Sequence, residues 1–99
     1  MSVESKVESG VLHINIAGRF DFGVHKQFRD AINQITAGIK KIEVDLSATD
    51  YVDSSALGML LLLRDKVSCD RNAVEIKGAR AEVKKILEIA NFSKLFILS

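Results

Sequence analysis

Proline and tryptophan are missing from this chain, and cysteine occurs once, at Cys69. A lone thiol can neither close an internal disulfide nor pair with a second thiol around a metal, which fits a reducing compartment. Long apolar runs are missing too. The most apolar stretch, Leu60-Leu61-Leu62-Leu63, is ended by Arg64-Asp65-Lys66 and falls well short of the roughly 18 residues of a membrane helix. The opening residues, Met1-Ser2-Val3-Glu4-Ser5-Lys6, have neither the basic start nor the apolar core of a secretory signal. A soluble, cytoplasmic protein with no membrane partner is expected. An excess of one charge is also lacking, with 14 basic residues against 13 acidic and a formal charge of +1. The basic pairs Lys40-Lys41 and Lys84-Lys85 stand without interleaved aromatics, so they read as solvated faces and no nucleic-acid partner is expected. No functional reading attaches to the missing prolines.

What is present is a folded domain. Ninety-nine residues, 47% of them hydrophobic, make one unit over 1–99, with no linker, internal repeat or low-complexity stretch. Period-2 alternation predicts strands around Val3/Ser5/Val7, Leu12/Ile14/Ile16, Ile42/Val44/Leu46 and Val74/Ile76, the first two forming a hairpin that turns at Ser9-Gly10. A helix is predicted from Val24 through Phe28, Ile32 and Ile35 to near Gly38, a second over Ser54–Ser68, and a third over Ala81–Ala90 with Val83, Ile86, Leu87 and Ala90 inward. A last short strand spans Leu95–Leu98. Strands covered on both faces would read as continuous apolar runs, so the alternation predicts an α/β domain with helices mainly on one face of the sheet, in the order β-β-α-β-α-β-α-β.

Catalytic readings find little support. No Gly-x-Ser-x-Gly elbow surrounds any serine, and His13 falls on the strand face opposite Leu12 and Ile14, while His25 opens the first helix. No His/Cys/Asp spacing meets a metal rule, so no metal and no cofactor are expected. Gly18 and Gly23 lack the spacing of a phosphate-cradling loop and suit turns. Asp45 and Asp50 follow a strand, as a phospho-acceptor of a receiver domain does, but the early acidic pair and late lysine of that fold are missing.

The segment Asp53-Ser54-Ser55-Ala56-Leu57-Gly58 is different. It puts two hydroxyls and a carboxylate at the start of a very apolar helix. A helix N-terminus carries unpaired N–H groups and about +0.5 of partial charge, so a phosphate is stabilised there and Ser55 is a candidate switch residue. The ordinary alternative is that Asp53 or Ser54 only caps the helix. The helix that follows is apolar nearly all round. Leu60, Leu61 and Leu63 suit burial, whereas Leu57, Gly58 and Met59, near Ser55, suit either burial or an exposed docking patch.

This segment resembles the Asp-Ser-Ser-Gly/Ala-Leu-Gly signature of the STAS domain, the anti-sigma factor antagonist family. Gly18-Arg19-Phe20-Asp21 is similar to that family's Gly-x-Phe/Leu-Asp turn after the second strand, and the likeness covers nearly the whole chain. Members often carry a further C-terminal helix beyond the position matched by Ser99. The resemblance implies that Ser55 is phosphorylated, that Asp21 and Asp53 position the hydroxyl or meet a partner, that Ser54 supports the loop or cap, and that Phe22 is an interface residue; for Asp21 a turn or cap before the first helix is the equal alternative.

It also implies a bacterial partner-switching regulator that is not an enzyme. The unphosphorylated form would bind an anti-sigma factor or related serine kinase, phosphorylation of Ser55 would end that binding, and a PPM-type serine phosphatase would restore it. ATP and magnesium would belong to the kinase. Outputs of such signalling include transcription regulation through a sigma factor, biofilm control, secretion and motility. Asp53, Asp21 and Asp50 would add to a negative patch around the phosphate. The chain is expected to be a monomer. The alternative implied by the same likeness is a non-switching STAS subunit bracing a phospholipid-transporter ATPase.

Overall fold

The computed structural model describes residues 2–35, 38–67 and 73–99. The chain runs through β1 (Ser2–Glu8), β2 (Val11–Phe20), a 3₁₀ turn (Phe22–Val24), α1 (His25–Ile32), β3 (Lys41–Asp45), β4 (Thr49–Val52) and α2 (Ser54–Lys66). It continues through β5 (Val74–Lys77), α3 (Ala81–Ile89), a second 3₁₀ turn (Phe92–Lys94) and β6 (Ile97–Leu98). Among the described residues the sheet has the order β1-β2-β3-β5-β6, with β4 paired to β2. The β1–β2 pair is antiparallel and the other pairings are parallel. Ser9 and Gly10 both have positive φ, 52° and 79°, which matches the right-handed strand twist in a two-residue hairpin turn.

Alternation places Leu12, Ile14, Ile16, Ile42, Val44, Val74 and Ile76 on one sheet face, all buried, beneath Phe28, Ile32, Met59, Leu60, Leu63, Val83 and Leu87 of the helices. The opposite face is charged. Glu43 lies 2.9 Å from His13 Nδ1 and 3.4 Å from Lys77 Nζ, and Lys41 Nζ pairs with Glu75 at 3.0 Å. Hydrogen bonds from Ser47 hold the Asp45 carboxyl below its ordinary range. Those from the Ser99 hydroxyl and then Lys41 do the same for Glu75.

One boundary and one element differ from the sequence reading. The α1 helix ends at Ile32 rather than near Gly38, because Gln34 and Ile35 donate to carbonyls three residues back, at 3.1 and 3.0 Å, and so wind tighter turns. Ser68 and Cys69 lie outside the described residues, and α2 is described to Lys66. The stretch 47–52, for which the sequence reading gave no strand, contains β4, an element added to the expected order.

That added strand positions the rest. Thr49 is fully buried and donates its hydroxyl to the Ile16 carbonyl at 2.6 Å, while Gly18 N–H donates to Ala48 at 2.9 Å. The lower half of β2 pairs with β3 and its upper end with β4, with the register shifting between Gly18 and Arg19. Gly18 has φ +84°, a conformation that glycine adopts without a Cβ penalty. The irregularity lets one strand serve two neighbours and delivers the end of β2 beside the start of α2.

Candidate partner-docking and modification site

Phe20 and Val52 stand opposite each other where β2 and β4 end, and Asp53 N–H donates to the Phe20 carbonyl at 3.3 Å. The two sequence motifs, at 18–21 and 53–58, therefore meet in space. After Phe20 the chain turns through Asp21, whose Oδ1 accepts from Gly23 N–H at 2.9 Å and whose Oδ2 lies 3.2 Å from Arg19 Nε. The Arg19 guanidinium sits 4.3 Å from the centre of the Tyr51 ring. This turn projects Phe22 outward, 70% exposed, with its ring stacked on His25 at 5.4 Å between centroids.

After Val52, Asp53 takes an extended conformation and caps α2, its Oδ1 accepting from Ala56 N–H at 2.9 Å. The expected cap is therefore present, and Asp53 rather than Ser54 supplies it. Leu57 N–H makes the first turn's bond, to the Asp53 carbonyl at 3.3 Å. Helix geometry gives the N–H groups of Ser54 and Ser55 no intrahelical acceptor, so they point out of the N-terminal end with its partial positive charge. Ser54 is exposed, Ser55 half-buried.

Ser55 lines a shallow depression of about 300 Å³ together with Phe22, His25, Gly58, Met59 and Leu62. Gly58 keeps it open, since a Cβ added there meets nothing within 4 Å. Two of the expected patch residues are less available than the sequence suggested. Met59 is 3% exposed and belongs to the core, reaching the depression only as its floor, and Leu57 is half-buried against that core. The exposed apolar side chains lining the depression are Phe22 and Leu62, the latter at 52%; Leu61, next to it on α2, is also exposed, contrary to its expected burial. Asp50 also differs from expectation: it lines a separate depression with Arg80, Glu82 and Val83.

His25 and Leu62 were not among the residues expected at the site. Spacing carries a signal for both, because Leu62 follows Ser55 by seven residues and Gly58 by four, and His25 follows Phe22 by three. What the spacing lacks is the fact that these two stripes face each other. His13 lies on the far side of the sheet with Glu43, in the one histidine–carboxylate pair among the described residues. No cluster of three potential metal ligands occurs among those residues. The site is thus an apolar, hydroxyl-bearing depression at a helix N-terminus, suited to a protein surface and to gain of an anionic group at Ser55.

Comparison with known proteins agrees with this architecture. The family model described as "Mlab, STAS domain" matches residues 2–98. A STAS-domain containing protein of Pseudomonas aeruginosa (strain UCBPP-PA14) is 48% identical over 88 residues, covering 89% of this chain and 87% of the relative. An anti-sigma factor antagonist from Mycobacterium paratuberculosis superposes with a TM-score of 0.81 at 20% identity, over 98% of this chain and 83% of that one. The Bacillus cell fate determinant SpoIIAA in its phosphorylated form superposes with a TM-score of 0.68 at 14% identity, over 99% and 91% of the two chains. No helix among the described residues is long and apolar enough to cross a membrane. With its mixed sheet, the three helices among its described residues and its two motifs joined at the start of α2, the chain belongs to the STAS-domain family.

Proposed function

We propose that this single domain is a phosphorylation-gated, cytoplasmic interaction module in a bacterial partner-switching pathway, and that it catalyses nothing. Unphosphorylated, it binds an anti-sigma factor or related serine kinase through Phe22 and the depression beside Ser55. The kinase passes the γ-phosphoryl group of ATP to Ser55 Oγ: a new O–P bond forms, the bond to ADP breaks, and the hydroxyl proton is released. A PPM-type serine phosphatase hydrolyses the ester and restores binding. The observation that carries this reading is the position of Ser55, half-buried in the first turn of α2 and lining the same depression as the exposed Phe22.

Phosphate adds about −1.5 to −2 charges. The helix terminus tolerates that charge, so the fold survives, whereas a close-fitting apolar partner surface must desolvate it. Asp53, which caps the same turn, adds to the negative potential. A penalty of about 1.5–4 kcal/mol weakens binding roughly ten- to a thousandfold, enough to exchange partners. Intact mass and phosphosite mapping of the protein from its native cells tests the reading, with Ser55→Ala as the control. One phosphate at Ser55 is expected. No phosphate across growth conditions, with phosphatases inhibited, would sink it.

The apolar character of Phe22, Leu61 and Leu62 favours a second reading, since permanent interfaces are the more hydrophobic ones. The chain would then be a non-switching subunit bracing a phospholipid-transporter ATPase. Co-purification with such an ATPase and normal function of Ser55→Ala would select it.

A further inference from the structure

The depression beside Ser55 is lined by Phe22, His25, Ser55, Gly58, Met59 and Leu62, and of these only His25 can acquire a positive charge. It is half-buried, and its imidazole lies against the Phe22 ring with the planes 19° apart. We infer that His25 reads the modification state of Ser55: the imidazolium donates a hydrogen bond to the phosphate, and its stack with Phe22 carries the change to the most exposed aromatic ring of the docking surface. The inference rests on Ser55 being the phosphorylated residue and adds the group that answers the phosphate.

Charges on the surrounding elements leave this role to His25. The Asp21 carboxylate is engaged by Gly23 N–H and Arg19, and that of Asp53 by Ala56 N–H. On α1, Lys26 is exposed, and Arg29, one turn beyond His25, lines an adjoining depression that shares Leu62 with the first and places Arg29 beside Asp65 and Lys66 of α2. The β1 strand, against which α1 packs, donates Val3 N–H to Gln27 and accepts from Gln34 Nε2 at the Ser5 hydroxyl; its Glu4, Lys6 and Glu8 alternate onto the other face. His25 is the first residue of α1 and so stands at the helix end that faces the depression. A phosphate in the same depression is an opposite charge beside the ring and favours its charged form.

The test uses the full chain with phosphoserine translated into position 55, beside the unmodified chain, each also as His25→Gln. Phosphorus and imidazole nitrogen resonances are followed against pH, together with the Phe22 ring protons. Phosphoserine ordinarily loses its second proton near pH 6 (an approximate midpoint), and that midpoint is expected to move to lower pH, to about tenfold higher proton concentration, when His25 is present and to return in His25→Gln. The imidazole titration is expected to move to higher pH on phosphorylation, with the Phe22 protons following the same midpoint. An imidazole titration indifferent to phosphoserine overturns the inference and needs no variant. So does a phosphate that titrates alike with His25 and with His25→Gln. Because phosphoserine is installed by translation, either result is separate from whether cells phosphorylate Ser55, which the mapping above decides.

Discussion

Asp53 N–H donates to the Phe20 carbonyl at 3.3 Å, so the residue that caps α2 is also pinned to the end of β2. One residue thereby sets both the helix start and the distance between the two motifs. Its carboxylate acts on Ala56 and its main chain on Phe20. Local helix capping and the geometry of the proposed docking surface rest on the same residue.

Removing the carboxylate should cost stability without losing the fold. Asp53→Ala is expected to lower unfolding free energy by about 1 kcal/mol, the usual worth of an N-cap, while Asp53→Asn, which keeps an acceptor oxygen, should lose at most a few tenths. Urea unfolding of the two variants checks this. Equal losses would show that the cap bond to Ala56 carries little of the effect.

Gly58 separates folding from binding. A methyl group there meets open space, and alanine is favoured over glycine in a helix interior by about 1 kcal/mol, so Gly58→Ala should be more stable than the parent. The same methyl group fills part of the depression and should weaken capture of the proposed kinase partner. Thermal unfolding and a titration with that partner read the two effects; a gain in stability with unchanged affinity would take Gly58 out of the interface.

Phe22 and Met59 should part company. Phe22→Ala removes an exposed ring and should change stability by less than about 0.5 kcal/mol while costing partner affinity at least tenfold. Met59→Ala opens a cavity under α2 and should cost about 2–5 kcal/mol. Denaturant curves and affinity measured on the folded fraction distinguish them. If Phe22→Ala binds the partner as the parent does, Phe22 is not the anchor.

The charged sheet face sets the pH limits of stability. Glu75 is held below its ordinary 4.5, first by the Ser99 hydroxyl and then by Lys41, and Asp45 below its 3.8 by Ser47. A carboxylate depressed in the folded state stabilises above its unfolded value and loses that contribution as pH falls through the lower folded value. Lys41, raised above 10.5 chiefly by its hydrogen bond to Glu75, contributes fully below that value and ceases to as pH rises through the folded one. Stability should therefore be level at mid-range pH, decline on acidification below about 4.5 and decline again above 10.5. Glu75→Gln should shallow both limbs; unfolding curves across pH that keep the parent's slopes would dismiss the Glu75 network as a contributor. High salt should blunt the effect, since these groups lie near solvent.

The hairpin, the main strands and the one-sided helical layer were legible because polar residues mark their solvent faces: Lys41, Glu43 and Asp45 alternate with Ile42 and Val44, and Ser9-Gly10 is a turn by its chemistry. β4 was not legible. In Thr49-Asp50-Tyr51-Val52 only the two end residues are buried, and four residues with an aspartate inside carry no usable period. Its existence depends on Thr49 reaching Ile16, a partner 33 residues away.

The site divides along the same line. Asp53-Ser54-Ser55 at a helix start is a local arrangement of backbone donors and short polar side chains, and neighbouring residues suffice to specify it. Which side of α2 is covered is not local. From Ala56 to Leu63 the helix has no polar side chain to mark its solvent face, so only the position of the sheet beneath it buries Met59, Leu60 and Leu63 and leaves Leu61 and Leu62 outside. The meeting of His25 with Ser55 likewise has no signature in a chain that separates them by 30 residues. It follows from two helices laid side by side on one face of a sheet, where packing between distant segments chooses which stripes share a groove.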